Sequence, residues 1–128
     1  NSFRVEKSYW QSPVLDAGPI RETLLQGLEQ SRDTRVPLVH CHRRFKPFIE
    51  DSLPRMIVGK RALLAHPGKH PLCPRGVAGD TLLVIGPEGG FIPYEVQRLH
   101  AAGCETVSLG PRILRVENAV ASVLGRLF

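Results

Sequence analysis

The sequence has little that would let it cross a membrane, cross-link itself or hold a metal. Its apolar stretches are short, Thr81-Leu82-Leu83-Val84-Ile85 being the most continuous, whereas a membrane span needs about 20 residues. The three cysteines, Cys41, Cys73 and Cys104, are an odd number and include no paired Cys-x-x-Cys. That speaks against a disulfide framework and points to a reducing, cytoplasmic setting. His66, His70 and Cys73 fall close together, but their spacing matches no common zinc site, so no metal is expected. No Gly-Lys-Ser/Thr ending of a P-loop and no Gly-x-Gly-x-x-Gly dinucleotide fingerprint occurs. Ser31, Ser52 and Ser108 lack the Gly-x-Ser-x-Gly context of a hydrolase nucleophile. No signal-peptide pattern is visible, and Asn1 stands where an initiator Met would, so a processed or trimmed piece of a longer chain is expected.

What remains is an ordinary globular composition. The chain has 128 residues, 42% apolar and 23% charged, enough apolar material to form one core and to exclude disorder as the main state. It reads as one domain, residues 1–128. Lys and Arg number 17 against 12 Asp and Glu, a net charge of +5. That excess fits a nucleic-acid partner and equally fits a basic protein with none.

Periodicity divides the chain into alternating elements. Residues 1–18 read mostly as loop. Pro19 suits a first helical turn. Ile20, Leu24, Leu25 and Leu28 come next at helical spacing, up to a predicted end near Arg32 or Asp33. Val36–Cys41 reads as a short strand, His42–Lys46 as a basic turn, and Phe48–Met56 as a short helix broken around Pro54. Arg61–His66 reads as a buried strand and Pro67–Gly79 as a loop. Thr81–Ile85 is the clearest strand, of the kind buried on both faces of a parallel sheet. Pro93–Ala102 is predicted helical with Val96 and Leu99 inward, and Thr106–Leu109 is a further strand. Val116–Leu127 is a helix with Val116, Val120, Val123, Leu124 and Leu127 along one side. The alternation gives an α/β domain with a mostly parallel sheet and flanking helices. Ligands in such sheets bind beyond the carboxyl ends of the strands, which directs attention to the loops after Ala65, Ile85 and Leu109.

After Ile85 comes Gly86-Pro87-Glu88-Gly89-Gly90. Its glycines permit positive φ and close backbone approach, either for a ligand loop or for a tight turn alone. Glu88 would repel a phosphate and suits hydroxyls, an amine or a positive centre. After Leu109 comes Gly110-Pro111-Arg112-Ile113-Leu114-Arg115-Val116-Glu117-Asn118-Ala119, a glycine turn leading through two arginines into a helix. Glu117 and Asn118 suit a helix start. Arg112 and Arg115 fit phosphate or carboxylate groups, or an ion pair with Glu88 or Glu117. His40-Cys41-His42-Arg43-Arg44-Phe45-Lys46 is a basic cluster around an aromatic, open to RNA backbone or to plain solvation. Glu29-Gln30-Ser31-Arg32-Asp33 is a dense polar group, either a solvated helix end or a substrate-facing patch.

Ile85-Gly86-Pro87-Glu88-Gly89-Gly90-Phe91, then Glu95-Val96, then Leu109-Gly110-x-Arg112-Ile113-Leu114-Arg115-x-Glu117-x-Ala119 resembles the C-terminal signature of SPOUT-type ribosomal RNA methyltransferases. Within them it is similar to the enzymes that methylate N3 of one uridine in 16S rRNA. Glu29-Gln30-Ser31-Arg32 before Val36-Pro37 resembles that family's upstream Glu-Gln-Ser segment. The resemblance covers most of the chain and is strongest from Leu82 to Ala119. It implies a deep C-terminal trefoil knot, S-adenosylmethionine as methyl donor, a homodimer, and 16S rRNA or the small ribosomal subunit as partner. It also implies that a PUA-like RNA-binding domain and the knotted domain's opening strand and helix lie outside this chain.

Carried over by position, the donor-binding residues would be Leu64, Ala65, His66, Ile85, Gly86, Pro87, Glu88, Gly89, Gly90, Leu109, Gly110, Arg112, Ile113, Leu114, Asn118 and Ala119. Arg115 would take the catalytic role with Glu117 near it, and Glu29, Gln30, Arg32, Arg43 and Arg44 would face RNA. The pattern departs from the family's at three places. Val116 and Asn118 replace threonines, and Ile92 replaces a capping serine, so Glu95 is expected to lose its reciprocal capping partner. Two other readings compete: a non-catalytic RNA-binding or dimerisation module on the same scaffold, and an α/β domain for another small ligand such as a nucleotide.

Overall fold

The computed structural model describes residues 2–128. They form two units, one of residues 5–43 and one of residues 2–4 with 44–128.

The unit 5–43 opens with two 3-10 turns, Lys7–Gln11 and Pro13–Leu15, and continues as helix α1, Ala17–Ser31. Ile20, Leu24 and Leu28 make its half-buried stripe, while Leu25 is exposed. Arg32 closes α1 in the left-handed region, φ 56°, and Asp33 Oδ1 then accepts the amides of Thr34 and Arg35 at 2.7 and 3.0 Å. The strand predicted over Val36–Cys41 is absent: the segment is irregular and exposed. β-Branched residues alone make no strand without a ladder partner, and among the described residues this segment has none.

The other unit is built on a parallel three-stranded sheet, β1 (Arg61–Ala65), β2 (Thr81–Ile85) and β3 (Glu105–Val107), in the order β2-β1-β3. Arg61 pairs with Thr81, and Leu63 with Glu105. β1 is therefore central, and its alternation sends side chains to two cores. Ala62 and Leu64 join Phe45, Ile49, Leu53, Leu99 and Cys104 on one face. Leu63 joins Cys73, Val107, Val123 and Leu127 on the other. β2, the most apolar run, is an edge strand and only half-buried throughout, not buried on both faces as its composition suggests.

The first face is covered by one helical stretch: α2 (Phe45–Pro47), a π-helical segment (Phe48–Ser52) and α3 (Leu53–Met56). Pro54 does not break it, because proline is tolerated in the first turn of α3, where its missing N–H is no loss. Phe45 is buried there, so the aromatic of the basic cluster belongs to the core and not to an RNA surface. Helix α4 (Pro93–Ala101) adds Leu99 to the same core. Helix α5 (Val116–Leu127) covers the second face with Ala119, Val123 and Leu127. Val120 and Leu124 point outward and are exposed, contrary to the side assigned from hydrophobicity, because Ala119 takes the close-packed position.

Glu95 keeps more than the sequence suggests. Ile92 supplies no side-chain oxygen, yet its amide donates to Glu95 Oε2 at 2.9 Å. Ser2 Oγ donates to Oε2 at 3.2 Å and the Phe3 amide to Oε1 at 2.9 Å. The wholly buried carboxylate is thus satisfied by three donors, as a buried charge must be.

Candidate functional site

The carboxyl ends of β1, β2 and β3 bring three loops together around a narrow cleft of about 70 Å³. The end of β1 and the loop after it contribute Ala65, His66 and Pro67. The end of β2 and the loop after it contribute Ile85, Gly86, Pro87, Gly90 and Phe91. The loop after β3 contributes Leu109, Gly110, Arg112 and Leu114, and α5 adds Val116 and Ala119. Past Leu114 a wider opening of about 380 Å³ is lined by Glu88, Ile113, Leu114 and Arg115. The two share Leu114, and the opening is on the scale of a small-molecule pocket, ~300–1,000 Å³.

The local chemistry explains why these loops bend here. Gly90 and Gly110 adopt φ +69° and +126° with nothing near the position of a Cβ, conformations that cost an L-residue strain. The Gly90 amide donates to the Pro87 carbonyl at 2.7 Å, closing the turn. A Cβ on Gly86 would lie 3.1 Å from the Phe91 ring, and one on Gly89 would lie 3.1 Å from Arg4 Cβ. Ser108, whose sequence context is not that of a nucleophile, is a turn former: its buried hydroxyl accepts the Gly110 amide and donates to the Gly110 carbonyl, both at 3.2 Å. The His66 amide donates to the Val107 carbonyl at 3.0 Å, and the His66 ring lies 5.9 Å from that of His70. Burial first, and the neighbouring His70 second, hold the His66 imidazole below its ordinary pKa, favouring the neutral ring.

Of the residues expected to hold a ligand, Ala65, His66, Ile85, Gly86, Pro87, Gly90, Leu109, Gly110, Arg112, Leu114 and Ala119 line the cleft. Glu88 and Ile113 stand with Arg115 at the wider opening. Leu64 is instead wholly buried in the first core, Gly89 packs against Arg4, and Asn118 and Glu117 are exposed on the first turn of α5. Pro67, Phe91 and Val116 also line the cleft, though none is among the residues expected to hold a ligand; Phe91 closes the first signature, and Pro67 and Val116 adjoin signature or expected residues. Among the described residues Arg112 and Arg115 form no ion pair, so both guanidinium groups are open to a ligand. Glu29, Gln30, Arg32 and Arg43 are exposed in the unit 5–43, and Arg44 is exposed in the other.

A larger groove of about 920 Å³ runs beside β3, between α4 and the loop after β1, and shares His66 and Phe91 with the cleft. Its walls combine three prolines, Leu72, Phe91, Val96 and Val107 with Arg61, three histidines, Gln97, Glu105 and Thr106. Among the described residues no group of three metal-ligating side chains assembles, and no helix is long and apolar enough to cross a membrane.

Known proteins are similar to this chain in sequence and fold. The ribosomal RNA small subunit methyltransferase E of Mycobacterium bovis is 31% identical over 121 residues, covering 91% of this chain and 46% of that protein. That of Bacillus subtilis is 50% identical over 46 residues, 36% of this chain and 17% of that protein. The crystal structure of a ribosomal RNA small subunit methyltransferase E from Neisseria gonorrhoeae, bound to S-adenosyl methionine, superposes with a TM-score of 0.75 at 24% identity. It covers 97% of this chain and 50% of that one. The chain thus spans about half the length of the relatives it matches. The family model described as RNA methyltransferase domain matches residues 1–127, and the chain belongs to that family.

Proposed function

We propose that this chain is the methyl-donor-binding part of an S-adenosylmethionine-dependent methyltransferase acting on N3 of a uridine in 16S ribosomal RNA. The observation that carries the reading is the convergence of three strand-end loops on one cleft, with the positive-φ Gly90 and Gly110 at their turns, beside an unpaired Arg112 and Arg115. The residues fit the donor. Glycine turns expose backbone amides and carbonyls to an adenine edge and a ribose, apolar walls enclose the base, and the Glu88 carboxylate suits a positive sulfur.

When bound, S-adenosylmethionine supplies a methyl already activated on a sulfonium. The protein's share is then alignment and charge. Cleft residues hold the donor end. Arg115, at the wider opening, orients the uracil and stabilises the charge that builds on its flanking carbonyl oxygens as the N3 proton passes to solvent. Glu117, on the first turn of α5, stands near it. The exposed Glu29, Gln30, Arg32, Arg43 and Arg44 serve RNA contact in the cytoplasm, with the remainder of the RNA-facing surface in the rest of the protein.

We read the fold as the trefoil-knotted SPOUT arrangement. The chain leaves β2, crosses to the far edge of β1 for β3, and returns as α5 to touch β2, which supports that reading. The exposed Ile113, Val120, Leu124 and Phe128 support a homodimer closing beside the donor site. The test is calorimetric titration of the full-length protein with S-adenosylmethionine, with methyl transfer to 16S rRNA assayed on wild type and Arg115→Ala. Binding with transfer, lost in Arg115→Ala while binding persists, sustains the proposal. Absence of binding favours a non-catalytic module, and transfer at the normal rate in folded Arg115→Ala removes Arg115 from its role.

A further inference from the structure

We infer that Glu95, which lines neither the cleft nor its opening, is a positioning residue for the methyl-donor loop, acting through Ser2, Phe3 and Arg4. The inference rests on the proposed donor site and concerns how its Gly86–Gly90 turn is held.

The physical chain is continuous. Glu95 is wholly buried at the third position of α4, where the helix N-terminus favours an anion. Its carboxylate does more than cap. Oε1 accepts the Phe3 amide at 2.9 Å, and Oε2 accepts the Ser2 hydroxyl at 3.2 Å and the Ile92 amide at 2.9 Å. One side chain therefore ties the 2–4 segment to the end of the donor loop. Phe3 also meets the Tyr94 ring edge-on, centroids 6.1 Å apart. The next residue completes the link: Arg4 Nη1 donates to the Gly89 carbonyl at 2.6 Å, and Arg4 Cβ occupies the space a side chain at 89 would need. The turn is thus closely packed on two sides, by Phe91 at Gly86 and by Arg4 at Gly89.

The atom types make the carboxylate specific. All three partners are donors, so glutamine, with one acceptor oxygen and an NH2 group, leaves at least one donor facing a donor. A helix-cap role alone involves only Ile92. It predicts a lower melting temperature for Glu95→Gln and no effect of Arg4→Ala. A positioning role predicts that both weaken donor binding, and that the effects overlap because they cut the same tether.

The experiment uses the full-length protein as wild type, Glu95→Gln, Arg4→Ala and the double variant. Affinity for S-adenosylmethionine is measured by calorimetry, and exchange of the Gly90 amide, which bonds to Pro87 in this turn, by mass spectrometry or NMR without ligand. Each single variant is expected to weaken binding about tenfold, and the double variant by little more, since each severs a charge-assisted hydrogen bond in the same tether. KM for the donor should rise while kcat at saturation stays near wild type, and Gly90 exchange should quicken. Folded variants with wild-type affinity and unchanged exchange, or losses that simply multiply, overturn the inference. If Glu95→Gln does not fold, Arg4→Ala decides alone. If wild type binds no S-adenosylmethionine, the proposed function fails. Gly90 exchange in Arg4→Ala then decides the clamp: quickened exchange sustains it and unchanged exchange overturns it.

Discussion

Arg126 turns both Nε and Nη2 onto the carbonyl oxygen of Cys73, at 3.1 and 2.8 Å. The neighbouring backbone completes the link, with the Gly76 amide donating to the Arg126 carbonyl at 2.9 Å and the Val77 amide to the Leu127 carbonyl at 3.0 Å. The last carbonyls of a helix have no partner within it, and here the loop before β2 supplies two. Arg126 thereby fixes the end of α5 to the middle of the long loop whose beginning carries His66. Replacing Arg126 by Leu should lower unfolding stability by about 1–3 kcal/mol, the range for losing charge-assisted hydrogen bonds to a half-buried carbonyl. Urea unfolding checks this, with a lower midpoint at an unchanged slope.

Leu64 in β1 and His66 just past its end separate two jobs within three residues. Leu64 is wholly buried among Ile49, Leu53 and Leu99, whereas His66, two residues on, lines the cleft. Leu64→Ala should cost about 2–5 kcal/mol by cavity formation, yet leave the affinity of the folded fraction for S-adenosylmethionine unchanged. Denaturant unfolding and calorimetry on the same preparation measure the two effects. A donor affinity that falls in parallel with stability would return Leu64 to the binding site.

Much of this architecture is legible in the residues themselves. Val116–Leu127 is helical to the residue, Thr81–Ile85 is a strand, and the rule that ligands lie beyond parallel strand ends leads directly to the three loops of the cleft. Neighbours in space are less legible. The apolar content of Thr81–Ile85 suggests burial on both faces, but strand order is set by long-range pairing that composition does not carry, and Arg61–Ala65 takes the centre, leaving Thr81–Ile85 half-buried at an edge. On α5, hydrophobicity selects Val120 and Leu124, while close packing selects Ala119. Glu95 escapes because its partners Ser2 and Phe3 lie about ninety positions away in sequence, and no local capping rule reaches that far.

The depressed pKa of His66 has a consequence for stability against pH. Burial and the neighbouring His70 disfavour its charged form, so the unfolded chain takes up a proton more readily than the folded one. Stability from this group is complete above the unfolded value and is lost as pH falls through the lower folded value. Thermal melting between about pH 7 and pH 5 should show Tm declining, and His66→Gln should flatten that decline. Donor affinity should weaken only as pH falls through the lower folded value, since a charged imidazole would then face the proposed position of the sulfonium. A Tm slope that His66→Gln leaves unaltered would place the acid sensitivity elsewhere.

The outer face of α5 makes the last prediction. Ala119, Val123 and Leu127 face the core, which leaves Val120 and Leu124 exposed one turn apart. Ile113 and Phe128, 83% and 91% exposed, flank the helix at its two ends. An apolar row on a helix already packed on its other side is costly to leave in water, and such rows mark protein contacts. The row lies on the element that begins just after Arg115 and contributes Val116 and Ala119 to the cleft, so a second copy seated there would shape the donor site as well. On the proposed homodimer, Leu124→Glu in the full-length protein should therefore shift the species seen by sedimentation from dimer to monomer and weaken S-adenosylmethionine binding at least tenfold, about 1.4 kcal/mol. Leu124→Met, which keeps the apolar area, should do neither. A Leu124→Glu variant that still sediments as the wild type, or a monomer that binds the donor normally, would detach this face from dimer formation or from the site.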